Sequence, residues 1–398
     1  MIRKTQHEIM GKWKTSSEPL VSICSITYNH ESFISQCLDG FLMQETDFPF
    51  EILIHDDAST DGTANIIREY EAQYPDLIKP IYQTENQYSK GIKMNITFNF
   101  TKAKGKYITL CDGDDYWTDP HKLQKQVDFL EANEDYAGCS HNTRIIYEDS
   151  GKDDALIVAS AIKDSYTIDD ITKGHIYFHT TSMVYRNIFK GNFPKKYLTD
   201  YMGDWFLLMA HADIGPIKYI DSVMSVYRIH ANGIWSKLSD IEKIVKNLNA
   251  IIAFNKVFEY KYEENFLSSL TRISSNLCKD KDYKFYEKLF NNITSSDLLK
   301  IIFYAYKDII EKDNTILEKD NTIRTLENTL NSKTKEINRI YSSNIEKDNT
   351  IRTLDNTLNS KTEEINRIYS SKGWKALMFI KRILCINKIQ KILTPNNK

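Results

Sequence analysis

Over residues 20–148 the chain alternates short apolar runs with stretches whose apolar positions recur every three or four residues. Leu20-Val21-Ser22-Ile23-Cys24-Ser25-Ile26-Thr27-Tyr28 is rich in β-formers and predicts a strand. Glu31–Met43 then places Phe33, Ile34, Cys37, Leu38, Phe41 and Leu42 on one helical face. Phe50–His55 reads as a second strand, with His55 expected to be structural. Ser59-Thr60-Asp61-Gly62-Thr63 supplies turn and capping chemistry ahead of Ile66, Ile67 and Tyr70, with Asp61 as the expected cap. A third strand is expected over Leu77–Tyr82, a helix near Gly91–Ala103, and a fourth strand over Lys106–Cys111. Asp119 and Pro120 look like the N-cap and first residue of a helix carrying Leu123, Val127 and Leu130. This alternation predicts an α/β fold with a Rossmann-like, mainly parallel sheet and helices on both faces.

Beyond residue 150 the pattern changes. Strands are expected at Ile176–Tyr185 and Ile217–Ile229 around a helix from Asp204 to His211, and residues 239–310 read as helical. A heptad starts near Ile302, with Ile or Leu at most first positions and lysine at about half of the fourth ones. Lys319–Leu326 recurs as Lys347–Leu354, 28 residues on, so four heptads are repeated in phase. A homodimeric coiled coil on the order of 100 Å long is the expected form. The end of the chain carries Lys372, Lys375, Lys381, Arg382, Lys388, Lys391 and Lys398 among Trp374, Phe379 and several Ile and Leu, which predicts an amphipathic helix for an anionic membrane surface. The expected organisation is an N-terminal segment 1–18, an α/β domain 19–235, a helical region 236–300, a coiled coil 301–371 and a basic tail 372–398.

Composition narrows the functions. Among 398 residues, 52 basic side chains against 54 acidic ones argue against nucleic acid as a partner. The six cysteines, Cys24, Cys37, Cys111, Cys139, Cys278 and Cys385, show no paired spacing and fit reduced thiols in the cytoplasm. The first residues offer no apolar signal-peptide core, and no apolar run reaches membrane-spanning length. A cytoplasmic protein held at the inner face of the membrane by its tail is the resulting expectation.

The candidate chemistry lies where predicted strands end. Thr109-Leu110-Cys111 runs into Asp112-Gly113-Asp114-Asp115, where three carboxylates in four residues oppose one another's ionisation unless a cation offsets them. Thr27-Tyr28-Asn29-His30 and Asp56-Asp57 also follow predicted strands, the edge at which open α/β sheets place ligands. A divalent cation sharing oxygen ligands with a diphosphate suits such a crevice. Asp115 is expected to buttress its loop.

Residues 18–235 resemble glycosyltransferase family 2, the inverting enzymes of the GT-A fold, in Ile26-Thr27-Tyr28-Asn29, Asp56-Asp57, Asp112-x-Asp114 and Gly203-Asp204-Trp205. The resemblance implies that Thr27, Tyr28, Asn29, Asp56, Asp57 and Asp112 contact the nucleotide and that one of Asp56 and Asp57 meets the base. It further implies that Asp112, Asp114 and His230 hold Mg²⁺ or Mn²⁺. Asp204 would be the catalytic base, with Gly203 where the family usually has an acid. The implied reaction moves one hexosyl or N-acetylhexosaminyl unit from a nucleotide sugar, a UDP-sugar above others, to a glycan or glycolipid hydroxyl in surface polysaccharide synthesis. The Gln-x-x-Arg-Trp motif of processive relatives is absent. Two alternatives are a nucleotidyltransferase, for which Thr27–His30 is not the usual glycine-rich loop, and a non-catalytic coiled-coil scaffold.

Overall fold

A computed structural model describes residues 3–269, apart from 16–17, 149–150, 160–162, 175, 195–202 and 267, together with residue 332. The heptad repeat apart from residue 332, the basic tail and about half of the expected helical region 236–300 lie outside the described residues. The chain divides into two compact units, Met1–Lys237 with Lys256–Tyr262 and Leu238–Asn255 with Glu263–Lys398. Every candidate site residue belongs to the first.

The elements follow in the order α1 (Gln6–Met10), β1 (Val21–Thr27), α2 (Ile34–Leu42), β2 (Phe50–Asp56), α3 (Thr63–Gln73), β3 (Ile78–Tyr82), β4 (Tyr107–Leu110), β5 (Tyr116–Trp117) and α4 (Lys122–Ala132). They continue with β6 (Gly138–Tyr147), β7 (Ala155–Leu156), β8 (Ser165–Tyr166), α5 (Ile168–Thr172), β9 (Val184–Arg186), α6 (Asp204–Ala212), β10 (Ile217–Ile229) and α7 (Asp240–Val257). Ten strands form one sheet in the order β3-β2-β1-β4-β9-β6-β10-β5, with β7 beside β6 and β8 beside β10. The run β3-β2-β1-β4 is parallel, and so is the long β6–β10 pair. Short β9 joins these two halves by pairing antiparallel to both β4 and β6. Two reversals restore the direction, so β10 ends at the same edge as β1, β2 and β4.

β1 and β2 are buried along nearly their whole length, as strands covered on both faces must be. The core packs Ile23, Ile52 and Ile54 of the sheet with Ile34, Leu38 and Phe41 of α2, Ile67 of α3 and Trp117 of β5. Gly40 lets β5 lie close on α2, because a Cβ there would stand 2.9 Å from the Trp117 backbone nitrogen.

Three local expectations need correction. Residues 91–103 hold only the irregular turn Asn95–Asn99, where Asn99 donates to the Ser25 carbonyl at 3.0 Å and to Asn95 Oδ1 at 2.7 Å. These side-chain bonds compete with a regular ladder. α4 begins at Lys122 instead of Pro120, since Asp119 spends its carboxylate on the His121 N–H (2.8 Å) and the Lys125 ammonium (2.6 Å). The strand expected over 176–185 is confined to β9 at Val184–Arg186, preceded by a 3₁₀ turn at Thr180–Ser182. β6, a ten-residue strand, was not separated from its surroundings by apolar patterning, because its buried half carries Ser140, His141, Asn142 and Thr143.

Candidate active site

The loops after β1, β2 and β4 are tied together by backbone geometry. Asn29 and Ala58 adopt left-handed backbone (φ 55° and 60°), turning the chain sharply after β1 and β2. The Asn29 side-chain oxygen accepts from the Thr60 N–H at 2.8 Å, and the Asn29 N–H donates to Ser59 Oγ at 2.9 Å. Asn29 therefore staples the first loop to the second. Asp57 holds a third segment, accepting from the Gln87 and Tyr88 N–H groups at 2.7 and 3.0 Å. Asp56 differs from it: Oδ2 takes the Ser59 N–H at 3.3 Å, while Oδ1 is buried without a protein partner. Burial raises the Asp56 pKa. Thr27 Oγ1 and His30 Nδ1 are likewise buried and unpartnered, and Tyr28 projects beside them with 43% of its surface exposed.

Gly113 is fixed by that packing. A Cβ there would lie 2.6 Å from Thr27 Oγ1 and 3.1 Å from His30 Nδ1. The carboxylates on either side consequently sit against the end of β1. Asp114 Oδ2 lies 3.1 Å from His230 Nε2 and 3.7 Å from His30 Nε2. Burial works to raise the Asp114 pKa, but the His230 contact and His30 bring it below the ordinary carboxylate value. Asp112 is pushed well above that value, by burial first and then by the negative charges of Asp204 and Asp114. Asp115 is also pushed well up by burial and Asp114, and it accepts the Arg228 N–H at 2.9 Å. It buttresses the loop as expected. Asp61 is not the N-cap of α3, which is Gly62; it stands one residue earlier and accepts the Thr63 N–H at 3.0 Å and the Glu31 N–H at 3.1 Å, and His55 is buried in a stack on Phe98 with ring centroids 4.8 Å apart.

Arg228 was not legible as a site residue. Its guanidinium donates to the Asp114 carbonyl at 2.8 Å and to Gln36 Oε1 at 2.7 Å, pairs with Glu148, and lies over the Phe33 and Tyr116 rings. β10 thereby clamps the acidic loop against α2. Thr180 was also missed. Its hydroxyl donates to Asp204 Oδ2, orienting the carboxylate at the start of α6. Burial raises the Asp204 pKa, and the Thr180 hydrogen bond only partly offsets that. A carboxyl so poised is suited to take a proton.

Asp112, Asp114 and His230 could hold a divalent cation, although among the described residues no three such side chains form a ready-made cage. The donor set still fits: Mg²⁺ takes one or two carboxylates and completes its shell with water and substrate phosphates. Burial is the first cause of the Asp112 shift, and the repulsion from Asp204 and Asp114 that adds to it is what a cation would relieve.

A family model described as Glycosyl transferase family 2 matches residues 22–193. Residues 22–193 form a glycosyltransferase family 2 domain. An uncharacterized protein of Mycobacterium bovis is 42% identical over 215 residues, spanning 54% of this chain and 60% of that one. The chain thus spans less than two thirds of that relative. A putative teichuronic acid biosynthesis glycosyltransferase of Bacillus subtilis, TuaG, is 31% identical over 44% of this chain and 65% of its own. The S. aureus TarS structure in complex with UDP-GlcNAc shares the fold, with TM-score 0.51 and 19% identity over 72% of this chain and 81% of that one. The family 2 domain is accordingly a GT-A fold, as the motifs implied. Asp204 and His230 lie beyond the matched residues and join the domain through Thr180, Asp114 and the β6–β10 pairing.

Proposed function

We propose that this chain is an inverting, metal-dependent glycosyltransferase that moves a single sugar from a nucleotide sugar to a hydroxyl of a surface polysaccharide or lipid-linked glycan precursor. The observation that carries the reading is the meeting of Asp204, held by Thr180, with the Asp112 and Asp114 carboxylates at one sheet edge. UDP-sugars are the first donors to test, given the TarS complex with UDP-GlcNAc, and the name of TuaG points to a cell-surface polymer as acceptor.

Asp56 Oδ1, Thr27 Oγ1 and Tyr28 line the nucleotide end, and Asp56 is the member of its pair with an oxygen left for the base. Asp57 and Asn29 shape the loops around it. When bound at Asp112, Asp114 and His230, the cation supplies positive charge to the departing diphosphate. Asp204 takes the acceptor proton as that oxygen bonds to the anomeric carbon, and the bond from this carbon to the phosphate oxygen breaks with its electron pair leaving on the nucleoside diphosphate. One displacement inverts the anomeric centre. The nucleotidyltransferase alternative lacks its phosphate loop, since Thr27–His30 holds no glycine.

Metal-dependent nucleotide release across a panel of UDP-, GDP- and dTDP-sugars tests the reading. At least one UDP-sugar should be turned over with Mg²⁺ or Mn²⁺ and not in chelator; release from none of them would refute it.

A further inference from the structure

The sheet order sets the crevice out as a line. Asp56 ends β2, Thr27 ends β1, Asp112 follows β4, and the next strand is β9. β9 runs antiparallel to β4 with Val184 opposite Thr109, so the residues just before Val184 emerge at the same edge, beyond the acidic loop. The segment is pinned there: Thr109 Oγ1 donates to the Met183 carbonyl at 2.6 Å, and Trp117 Nε1 to the Thr181 carbonyl at 3.0 Å. Thr180 within it holds Asp204.

Phe178, His179, Thr180, Thr181 and Ser182 are all buried, yet Tyr177, next to them, is 49% exposed. Surrounding protein and then, first among charges, Asp204 push its phenol up, followed by Tyr227, Asp115 and Asp112. Of the other exposed tyrosines of this edge, Tyr28 follows β1 inside the row, and Tyr88 lies at the opposite end, where its N–H donates to Asp57. An exposed tyrosine therefore stands at each end of the carboxylate row, Tyr88 beyond β2 and Tyr177 before β9.

Resting on the transferase reading, we propose that Tyr177 is the platform of an acceptor subsite for an uncharged pyranose, whose C–H face stacks on the ring while one hydroxyl reaches Asp204. The electron-rich ring face attracts polarised C–H groups. The Asp204 carboxylate, which the acceptor hydroxyl must reach, disfavours an anionic acceptor there.

The test uses the full chain with Mn²⁺ and a UDP-sugar that it hydrolyses, and measures the ratio of transfer to hydrolysis. Methyl glucopyranoside, methyl galactopyranoside and methyl mannopyranoside serve as acceptor probes, with glycerol as the ringless polyol. At least one pyranoside should exceed glycerol at equal hydroxyl concentration. Tyr177→Leu should lower the ratio about tenfold, the worth of one aromatic contact, and Tyr177→Phe should restore it. A structural defect would lower transfer and hydrolysis together, leaving the ratio unchanged, and that result overturns the platform. So does a pyranoside no better than glycerol. Failure of the wild type to release nucleotide from any donor, measured before a probe is added, contradicts the transferase reading and the platform with it.

Discussion

Asp204 has the neighbours a general base requires: a hydroxyl to orient it and burial to raise its affinity for a proton. The rate should climb as pH rises through a carboxyl pKa above the usual range, because only the ionised form accepts the acceptor's proton. Asp204→Asn should keep donor affinity and lose on the order of 10²–10⁴-fold in turnover; steady-state kinetics showing equal turnover would remove it as the base. Lys122 poses a different problem. It is fully buried beside the Trp117 ring (4.1 Å) and the Thr109 hydroxyl (3.5 Å), and burial lowers its pKa to about 7. The unfolded lysine titrates near 10.4, so between these values the unfolded chain binds the extra proton and stability rises with pH. Lys122→Met should stabilise the protein by roughly 2–4 kcal/mol at pH 6, with less gain at pH 9.5. Denaturant melts with equal gain at both pH values would contradict a charge buried at cost. The carboxylates were legible because clustered acids at strand ends are chemically costly without a cation. Arg228, Thr180 and Tyr177 were not, because a lone Arg, Thr or Tyr acquires its meaning only from the partner the fold supplies.

At the scale of elements, the site depends on β10 reaching the edge at which β4 ends. Short β9 makes that possible by reversing direction twice between them, and β5 pairs with β10 through Trp117 opposite Ser225 and Tyr116 opposite Val226. The acidic loop is thus strung between β4 and β5, with Arg228 as its clamp. Arg228→Lys keeps a positive charge but loses the planar fork that serves Asp114, Gln36 and Glu148 together. It should weaken Mn²⁺ binding, read by titration, by about tenfold, the worth of one charge-assisted hydrogen bond, and unchanged Mn²⁺ affinity would make the clamp purely architectural. β1, β2 and β10 and helices α2 and α6 were readable from periodicity. The turn at 95–99 was not, since Asn95 and Asn99 redirect it through side-chain bonds that apolar spacing does not register. β6 was hidden for the opposite reason: its polar residues are buried by Asn142 bonding Val158 and Thr143 bonding Ser225.

For the whole molecule, the family 2 domain at 22–193 carries Thr27, Asp56, Asp112 and Asp114 on the ten-stranded sheet, and the chain after 193 contributes Asp204, Arg228 and His230. Among the described residues no helix is long and apolar enough to cross a membrane. In the proposed reaction, donor and acceptor would meet along the line from Asp56 through Asp112 and Asp114 to Asp204. The most direct measurement of the central claim is nucleotide release from a UDP-sugar by the wild type and by Asp114→Ala, each with Mn²⁺ and with chelator. Release that requires metal in the wild type and collapses in Asp114→Ala is the expected result; full release by the variant, or by the wild type in chelator, would contradict it.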